Sequence, residues 1–593
     1  MTPDPRTGPT PGTPPSSPPP DAGSAPPETS SAPPLESGSA APLESGSDSP
    51  PEFDSAPPRE RFVLDSEHVG DIQGAFGTIG QHEAGRRGLR LRTLALLAII
   101  GPGLIVMVGD NDAGGVATYS QAGQNYGTSL LWVMLLLVPV LIVNQEMVVR
   151  LGAVTGVGHA RLIIERFGKF WGAFSVGDLF ILNFLTIVTE FIGVSLSLGY
   201  FGVSQYVSVP LAAVALVAIT VSGSFRFWER AMFVFVFASF LVVPLFVMAH
   251  ANVGDAAQHL FVPGIYGGAN STSVLLIIGM VGTTVAPWQL FFQQSNVIDK
   301  RITPRWINYE RLDTWIGAFI VVIGGVALIC ISAFAFKGTP YFGQFANAGV
   351  TATDLDHVLG PLAAAFFAIV LLNASLIGAG ALTLSTSYAF GDVFGIKSSL
   401  HRSFADAKLF YGIFAVLIAG AAAIVLIPGA PLGVITLAVQ ALAGVLLPSA
   451  TVFLVLLCND REVLGPWCNP GWLNVIASTI VATLILLSLI LIATTIFPTI
   501  NVTAVSLGGG AVLVVGLVGF GLVGVRSRRG AKAVTVIEAG PSIPKEQWTM
   551  PPLALLARPR WSTGRKVAML TLRGYLLASM ILLIVKAVQL GGG

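Results

Sequence analysis

The chain is poor in charge. Of its 593 residues only 11% are Asp, Glu, Lys or Arg, while 53% are hydrophobic, and an average soluble domain carries roughly 25% charged residues. This excludes a soluble globular protein and predicts an all-α polytopic membrane protein. Net charge is scarce too: the formal value of +1 argues against a nucleic-acid partner or a strongly acidic one. Cysteine is nearly missing. Cys330, Cys458 and Cys468 are odd in number and imply neither a disulfide framework nor a zinc site. There is no HExxH motif, and no apolar run holds a Ser and a His together, so an intramembrane hydrolase lacks its nucleophile and base. A receptor with a large folded soluble domain is excluded by length: the longest soluble stretches are the N-terminal tail and some residues after 525. The chain is therefore not expected to be an enzyme, and no cofactor is expected.

The tail is a different material. Of 38 prolines, 18 fall in the first 58 residues, among Ser, Gly and Ala, with the near-repeat APPLESGSA and APLESGSD. Residues 1–60 hold nine acids against Arg6 and Arg59, too little apolar surface to offset the entropy of ordering. Residues 1–70 are expected to be a disordered cytoplasmic tail. It lacks the apolar core of a signal peptide and is expected to be retained.

From residue 94 onward, apolar runs of about 20 residues mark membrane helices. Twelve are expected, at 94–121, 129–150, 175–200, 208–224, 231–250, 274–296, 314–336, 360–390, 409–428, 434–457, 472–497 and 502–525. A further run at 567–589 carries Arg573 and Lys586 and is expected to span or to lie at the interface. Residues 90–457 would form a ten-helix core, with repeats at about 90–250 and 274–457, and 458–593 would add helices and a cytoplasmic loop. Lys and Arg accumulate in cytoplasmic loops. Arg86, Arg87, Arg90 and Arg92 precede the first span, Arg226 and Arg230 follow the fourth, and Lys300, Arg301 and Arg305 follow the sixth, whereas loops 201–207, 251–273 and 429–433 hold no Lys or Arg. The N-terminus is expected in the cytoplasm of a cell whose plasma membrane holds the protein.

Two spans break their own pattern. The first contains DNDAGG, with Asp110 and Asp112 where lipid-facing residues should be, and ionisable residues at membrane depth are functional candidates. The sixth contains Gly282 and Ala286-Pro287, and proline removes a helical donor. Interrupted helices at matching places of two oppositely running halves point to a secondary transporter with inverted repeats, whose substrate sits between the breaks. Carboxylates with freed carbonyls make a hard oxygen site suited to Mg2+ or Mn2+, and neither break offers a Lys or Arg for an anion. On a regular helix Asp110 and Asp112 would point to nearly opposite faces, so both reach one cavity only if the backbone unwinds between them. Glu190 in the third span is read as a proton relay or a structural hydrogen bond. His159, His250 and His401, near membrane boundaries, are expected to be solvated or capping.

These residues carry a family resemblance. The order GPG, then Asp112, Gly114 and Gln121-Ala122-Gly123 resembles the first helix of the NRAMP divalent-metal transporters. NQEMVVRLGAVTGVGHARLIIERFG resembles their second helix and its loop, the sixth span their broken metal-binding helix, and VQALAGVLLPSATVFLVLLCNDREVLG their tenth helix. The resemblance implies a LeuT-like 5+5 fold with broken helices 1 and 6. The departures are specific. The family's Asp-Pro-Gly-Asn reads Asp112-Ala113-Gly114-Gly115 here, its Met-Pro-His reads Ala286-Pro287-Trp288, a second histidine falls on Gln293, and the third-helix aspartate falls on Ile187 while its glutamate remains as Glu190. Losing the methionine removes a soft ligand, and losing the histidines and the aspartate removes groups that titrate near neutral pH. The pattern resembles the NRAMP-related magnesium transporters. That resemblance implies uncoupled uptake of largely hydrated Mg2+, with Mn2+ also carried, through Asp112 as principal ligand, the Thr283 carbonyl, Ala286 and Trp288 as walls, Gly115 making room and Asp110 adding charge. Gln440, matching a tenth-helix glutamine, is either a polar wall or a helix-to-helix bond. The alternative is a proton-coupled Mn2+ or Fe2+ carrier. The partners are thus the metal ion and the bilayer; the oligomeric state is open.

Overall fold

The two breaks organise the fold. In the computed structural model, which describes residues 65–80, 88–497, 500–530, 543–556, 566–567 and 569–575, the first span consists of three helices: α1 (Leu89–Ile99), α2 (Pro102–Gly109) and α3 (Ala113–Tyr126). It breaks twice. A 51° bend separates α1 from α2, at Gly101, whose φ is +153°. A Cβ there would stand 2.0 Å from Glu229 Oε1 and 2.8 Å from Lys300 Nζ, so both the backbone conformation and the crowding demand glycine. The second interruption is DNDAGG itself.

The remainder of the first half is α4 (Leu131–Thr155), the short amphipathic α5 (His159–Phe167), the long α6 (Lys169–Tyr200), α7 (Gln205–Thr220) and the pair α8 (Phe225–Ala238) and α9 (Val242–Met248). After the connecting α10 (Val253–Phe261) the order recurs. A broken pair, α11 (Ser271–Thr284) and α12 (Pro287–Asp299), is followed by α13 (Ile307–Phe336), a short α14 (Ala348–Leu359), a long α15 (Pro361–Phe394), α16 (Lys408–Val425) and α17 (Leu432–Cys458). With five spans in each half, the second half runs opposite to the first. The packing has the same symmetry: α2 and α3 lie along α13, α11 and α12 lie along α4, and α6 packs along α15. Each broken helix thus rests on the second helix of the other half. Beyond the repeats come α18 (Arg461–Leu464), α19 (Gly471–Ile496) and α20 (Val502–Gly530).

Ten described helices are long and apolar enough to cross a membrane; the bent α1–α2 pair makes one more, and the shorter α7 is also apolar. All twelve expected spans therefore contain a helix. Most of the 567–589 run lies outside the described residues, as do residues 1–64 of the expected tail. Residues 65–70, expected to belong to that tail, are folded, because charged partners hold them. Asp65 receives hydrogen bonds from Arg402 Nη2 at 2.6 Å and Nε at 2.9 Å and from the Ser398 N–H at 3.1 Å. A two-stranded hairpin follows, Ile72–Gly74 paired with Gly77–Ile79, and Arg301 Nε donates to the Glu67 carbonyl at 2.7 Å.

The segment 65–80 and the basic residues after the fourth and sixth spans thus share one end of the bundle, here termed the basic end. Its central tie is the fully buried pair Lys300–Glu229 at 2.5 Å. Lys300 also donates to the Ile100 carbonyl at 2.9 Å, and Glu229 accepts from the Ala75 N–H. Glu229→Ala strands a buried ammonium and should cost about 3–5 kcal/mol, read as a lowered Tm of the detergent-solubilised protein, whereas replacing both partners by apolar residues should recover most of the loss. An unmoved Tm in Glu229→Ala would remove the pair as a tie. The Asp65 attachment has its own signature. Burial alone would raise the Asp65 carboxyl, but the Arg402 hydrogen bond and the Glu67 N–H outweigh it and hold the group below its usual value. A carboxyl lowered when docked strengthens docking above its undocked pKa and loses that contribution as pH falls through the lowered one. Hydrogen-exchange protection factors of residues 66–79 should fall on acidification below the ordinary carboxylate range, and Asp65→Asn should remove that dependence.

Candidate metal site at the two helix breaks

An α-helix stays closed because each N–H donates to the carbonyl four residues earlier. At the first break those donors are diverted. Asp110 and Asn111 donate to Met107 and Val108, each at 3.2 Å, closing the last turn of α2 tightly. The Ala113 N–H goes to Glu190 Oε2 at 3.0 Å and the Gly115 N–H to Asp112 Oδ1 at 2.6 Å, so the carbonyls of Gly109 and Asn111 lose their helical donors. Asp112 is the N-cap of α3, with φ −67° and ψ −177°; the chain is extended at Asp112, whereas Asp110 keeps the helical conformation of the end of α2 (φ −72°, ψ −26°).

At the second break Pro287 has no N–H, and the carbonyl left without its helical donor is that of Thr283. Val285 (φ −132°, ψ 75°) and Ala286 (φ −86°, ψ 148°) carry the chain across in extended conformation. The Thr284 carbonyl is taken by Gln289 Nε2 at 3.2 Å.

The breaks meet side by side. Thr283 Oγ1 donates to Asp112 Oδ1 at 3.3 Å, and Tyr119 OH lies 2.6 Å from Thr284 Oγ1. Gln289 Nε2 also donates to Asp110 Oδ1, and Gln145 Nε2 holds the Gln289 carbonyl oxygen at 2.9 Å, while Asp110 Oδ2 accepts nothing. Asp110, Asp112, Glu190 and Thr283 are all 0–1% exposed, and among the described residues no Lys, Arg or His bonds to the three carboxylates. Burying such groups without a counter-charge is costly, and the site they form is lined by oxygen. Among the described residues no three His, Cys, Asp or Glu side chains are arranged to hold a metal ion, so the donor set is carboxylate, main-chain carbonyl and hydroxyl.

The flanking candidates are also at the breaks. Trp288 is buried; its ring is 3.4 Å from where a Gly109 Cβ would stand, and its carbonyl accepts from Ser385 Oγ at 3.1 Å, so it walls the α2 side. Gln440 lies against α3, where a Gly114 Cβ would stand 1.7 Å from its Nε2. That Nε2 has no hydrogen-bond partner, so a helix-to-helix bond through the amide N–H is not what holds Gln440. Ala286 is 4% exposed. The room expected from Gly115 is used differently: its Cβ would stand 2.9 Å from the Asp110 carbonyl oxygen and 3.1 Å from Thr283 Oγ1. The missing side chain lets the two breaks approach, and the site is closed to solvent.

Three glutamines went unassigned in the sequence. Gln289 holds Asp110, Gln145 holds the Gln289 side chain, and Gln294 binds His159. That histidine, expected to be solvated or capping, is fully buried, with Nδ1 2.9 Å from Gln294 Oε1 and its ring edge-on to Phe291. The signal was present, since amides in an intramembrane helix need partners across the bundle, but which helix supplies the partner is a tertiary matter.

The family model for natural resistance-associated macrophage protein-like proteins (Nramp) matches residues 103–494. The chain is 27% identical over 443 residues to a protein of Burkholderia ambifaria named divalent metal cation transporter MntH, covering 70% of this chain and 93% of that one. It is 28% identical over 408 residues to divalent metal cation transporter MntH 1 of Pseudomonas aeruginosa, covering 65% and 89%. The solved manganese transporter of Eremococcus coleocola superposes with a TM-score of 0.56 at 19% identity, covering 75% of this chain and 98% of that one; this likeness concerns the fold. With the family model matched over most of its membrane-embedded part, the chain belongs to the Nramp family and has a LeuT-like inverted-repeat fold.

Proposed function

We propose that the protein carries divalent metal ions across the membrane by alternating access, with Mg2+ as preferred cargo, Mn2+ also carried, and no obligatory proton movement. The observation that carries this is the donor set: two buried carboxylates, carbonyls released at both breaks and a threonine hydroxyl, with Ala286, Trp288 and Gln293 where the family has sulfur and imidazole. Oxygen ligands suit hard cations, and without a soft thioether the site loses its bias towards later transition metals. Asp112 is the principal ligand; it caps α3 and so sits where the helix dipole and the bound ion both act on it. The carbonyls of Thr283, Gly109 and Asn111 complete the inner oxygens, and Asp110, held by Gln289, adds charge.

A second reading is proton-coupled Mn2+ uptake. It is supported by Glu190, whose carboxylate accepts the Ala113 N–H next to Asp112, and by the names of the relatives. The two part in one experiment. In proteoliposomes holding a Mg2+-sensitive dye and a pH dye, Mg2+ entry without acidification is the expected result; Mn2+ entry with acidification and no Mg2+ entry would give the second reading.

Asp112→Ala should reduce metal influx by about 100-fold or more, since loss of even an outer-shell group costs 10–100-fold at metal sites, and undiminished influx in a monodisperse variant would dismiss the principal ligand. Ala286→Met should shift competition by about tenfold from Mg2+ towards Mn2+, on the scale of one good ligand. Unchanged competition would remove Ala286 as a selectivity determinant.

A further inference from the structure

The polar face of α12 does not end at the break. One turn beyond Gln289, which holds Asp110, lies the fully buried Gln293, whose Nε2 donates to Thr314 Oγ1 on α13 at 2.9 Å. Glu310, Asp313 and Thr314 share one face of α13, being three and four residues apart, and Gln293 is also the polar neighbour of Glu310. All four are 0% exposed.

Their oxygens are not satisfied. Glu310 Oε1 and Oε2, Asp313 Oδ1 and Gln293 Oε1 are buried and accept no hydrogen bond. Only Asp313 Oδ2 is engaged, by the N–H groups of Gly101 at 3.0 Å and Gly103 at 2.8 Å. Lys300 acts on both carboxylates through space, but its Nζ is bonded to Glu229 Oε1 and the Ile100 carbonyl. Three carboxylates thus lie within the field of one ammonium, the Gln293 amide is the near polar neighbour of Glu310, and four buried acceptor oxygens on two adjoining helices are left without a geometrically formed hydrogen bond. Buried acceptors of this kind need a cation or a donor.

We infer that Glu310, Asp313 and Gln293 form a second divalent-cation site, a way-station between the helix breaks and the basic end. It rests on the metal-transport reading and extends it. The spacing supports transit: Gln289 to Gln293 is one helical turn, about 5.4 Å, so an ion leaving Asp110 and Asp112 would meet amide oxygen and then carboxylate without crossing apolar surface. The set is again all oxygen, which suits the same hard cations.

The test counts Mn2+ bound per chain at saturation, from the free-ion EPR signal, using the purified full-length protein. Glu310→Gln should bind one Mn2+ fewer than the unsubstituted chain, Glu310→Asp should keep the full count, and Asp112→Asn should lose one ion independently. An unchanged count in Glu310→Gln overturns the way-station. Loss in Glu310→Gln with no loss in Asp112→Asn would uphold it while dismissing Asp112 as principal ligand. The unsubstituted chain supplies a readout free of folding defects: at saturation, pulsed EPR should show dipolar coupling between two Mn2+ ions within about 15 Å, a distance of a few helical turns. Absence of that coupling overturns the inference as well.

Discussion

The structure depends on how carboxylates are kept inside a low-dielectric bundle without basic partners. Asp110, Asp112 and Glu190 are buried at the centre of the chain, and none has a Lys or Arg bonded to it. They are held by main-chain N–H groups, by Thr283 and by Gln289. Those N–H groups are available only because the helix is broken, and the helix can break at membrane depth only because protein surrounds it. The same diversion that stabilises each carboxylate takes the helical donor from a main-chain carbonyl. Acidic residues and unwound backbone are therefore one feature.

The two halves share this work unequally. In the first half the break supplies the charge; in the second, proline supplies a carbonyl and α12 supplies amides. The pseudo-symmetric packing, each broken helix on the second helix of the other half, places the two breaks against each other. At the basic end the balance is different. There the charges are paired, with Lys300 on Glu229, Arg402 on Asp65 and Arg166 on Asp460, and the segment 65–80 is stitched to α8, α12 and the loop after α15. The ion pairs thus gather at the basic end, while the carboxylates at the breaks rest on main-chain N–H groups, a hydroxyl and an amide.

The proposed ion preference rests on what the breaks omit. Methionine and histidine would bring polarizable and titratable ligands; their replacement by Ala286, Trp288 and Gln293 leaves oxygen alone. Glycine acts by absence as well, since Gly115 allows the Asp110 carbonyl and Thr283 to approach, and Gly114 admits Gln440. The conformation is closed around these groups.

Much of this was legible in the chain itself. Each of the twelve apolar runs holds a helix, because a bilayer sets their length and composition, and the two interruptions stood out because acid and proline are costly in such runs. Asp110 and Asp112 were candidates as acids in an apolar run, and Thr283, Ala286, Trp288, Gly115 and Gln440 through the family resemblance. What only the tertiary structure decided was partnership. That Gln289 rather than a cation meets Asp110, that Glu190 takes the N–H of Ala113, that His159 is buried on Gln294, and that Glu310 stands beside Gln293 all depend on helices far apart in sequence. Residues 65–70 fold for the same reason: composition marks them as tail, but Arg402 and Arg301 lie more than two hundred residues away. Local hydrophobicity determines where a helix is; the pairing of buried polar groups is determined by which helices the packing brings together.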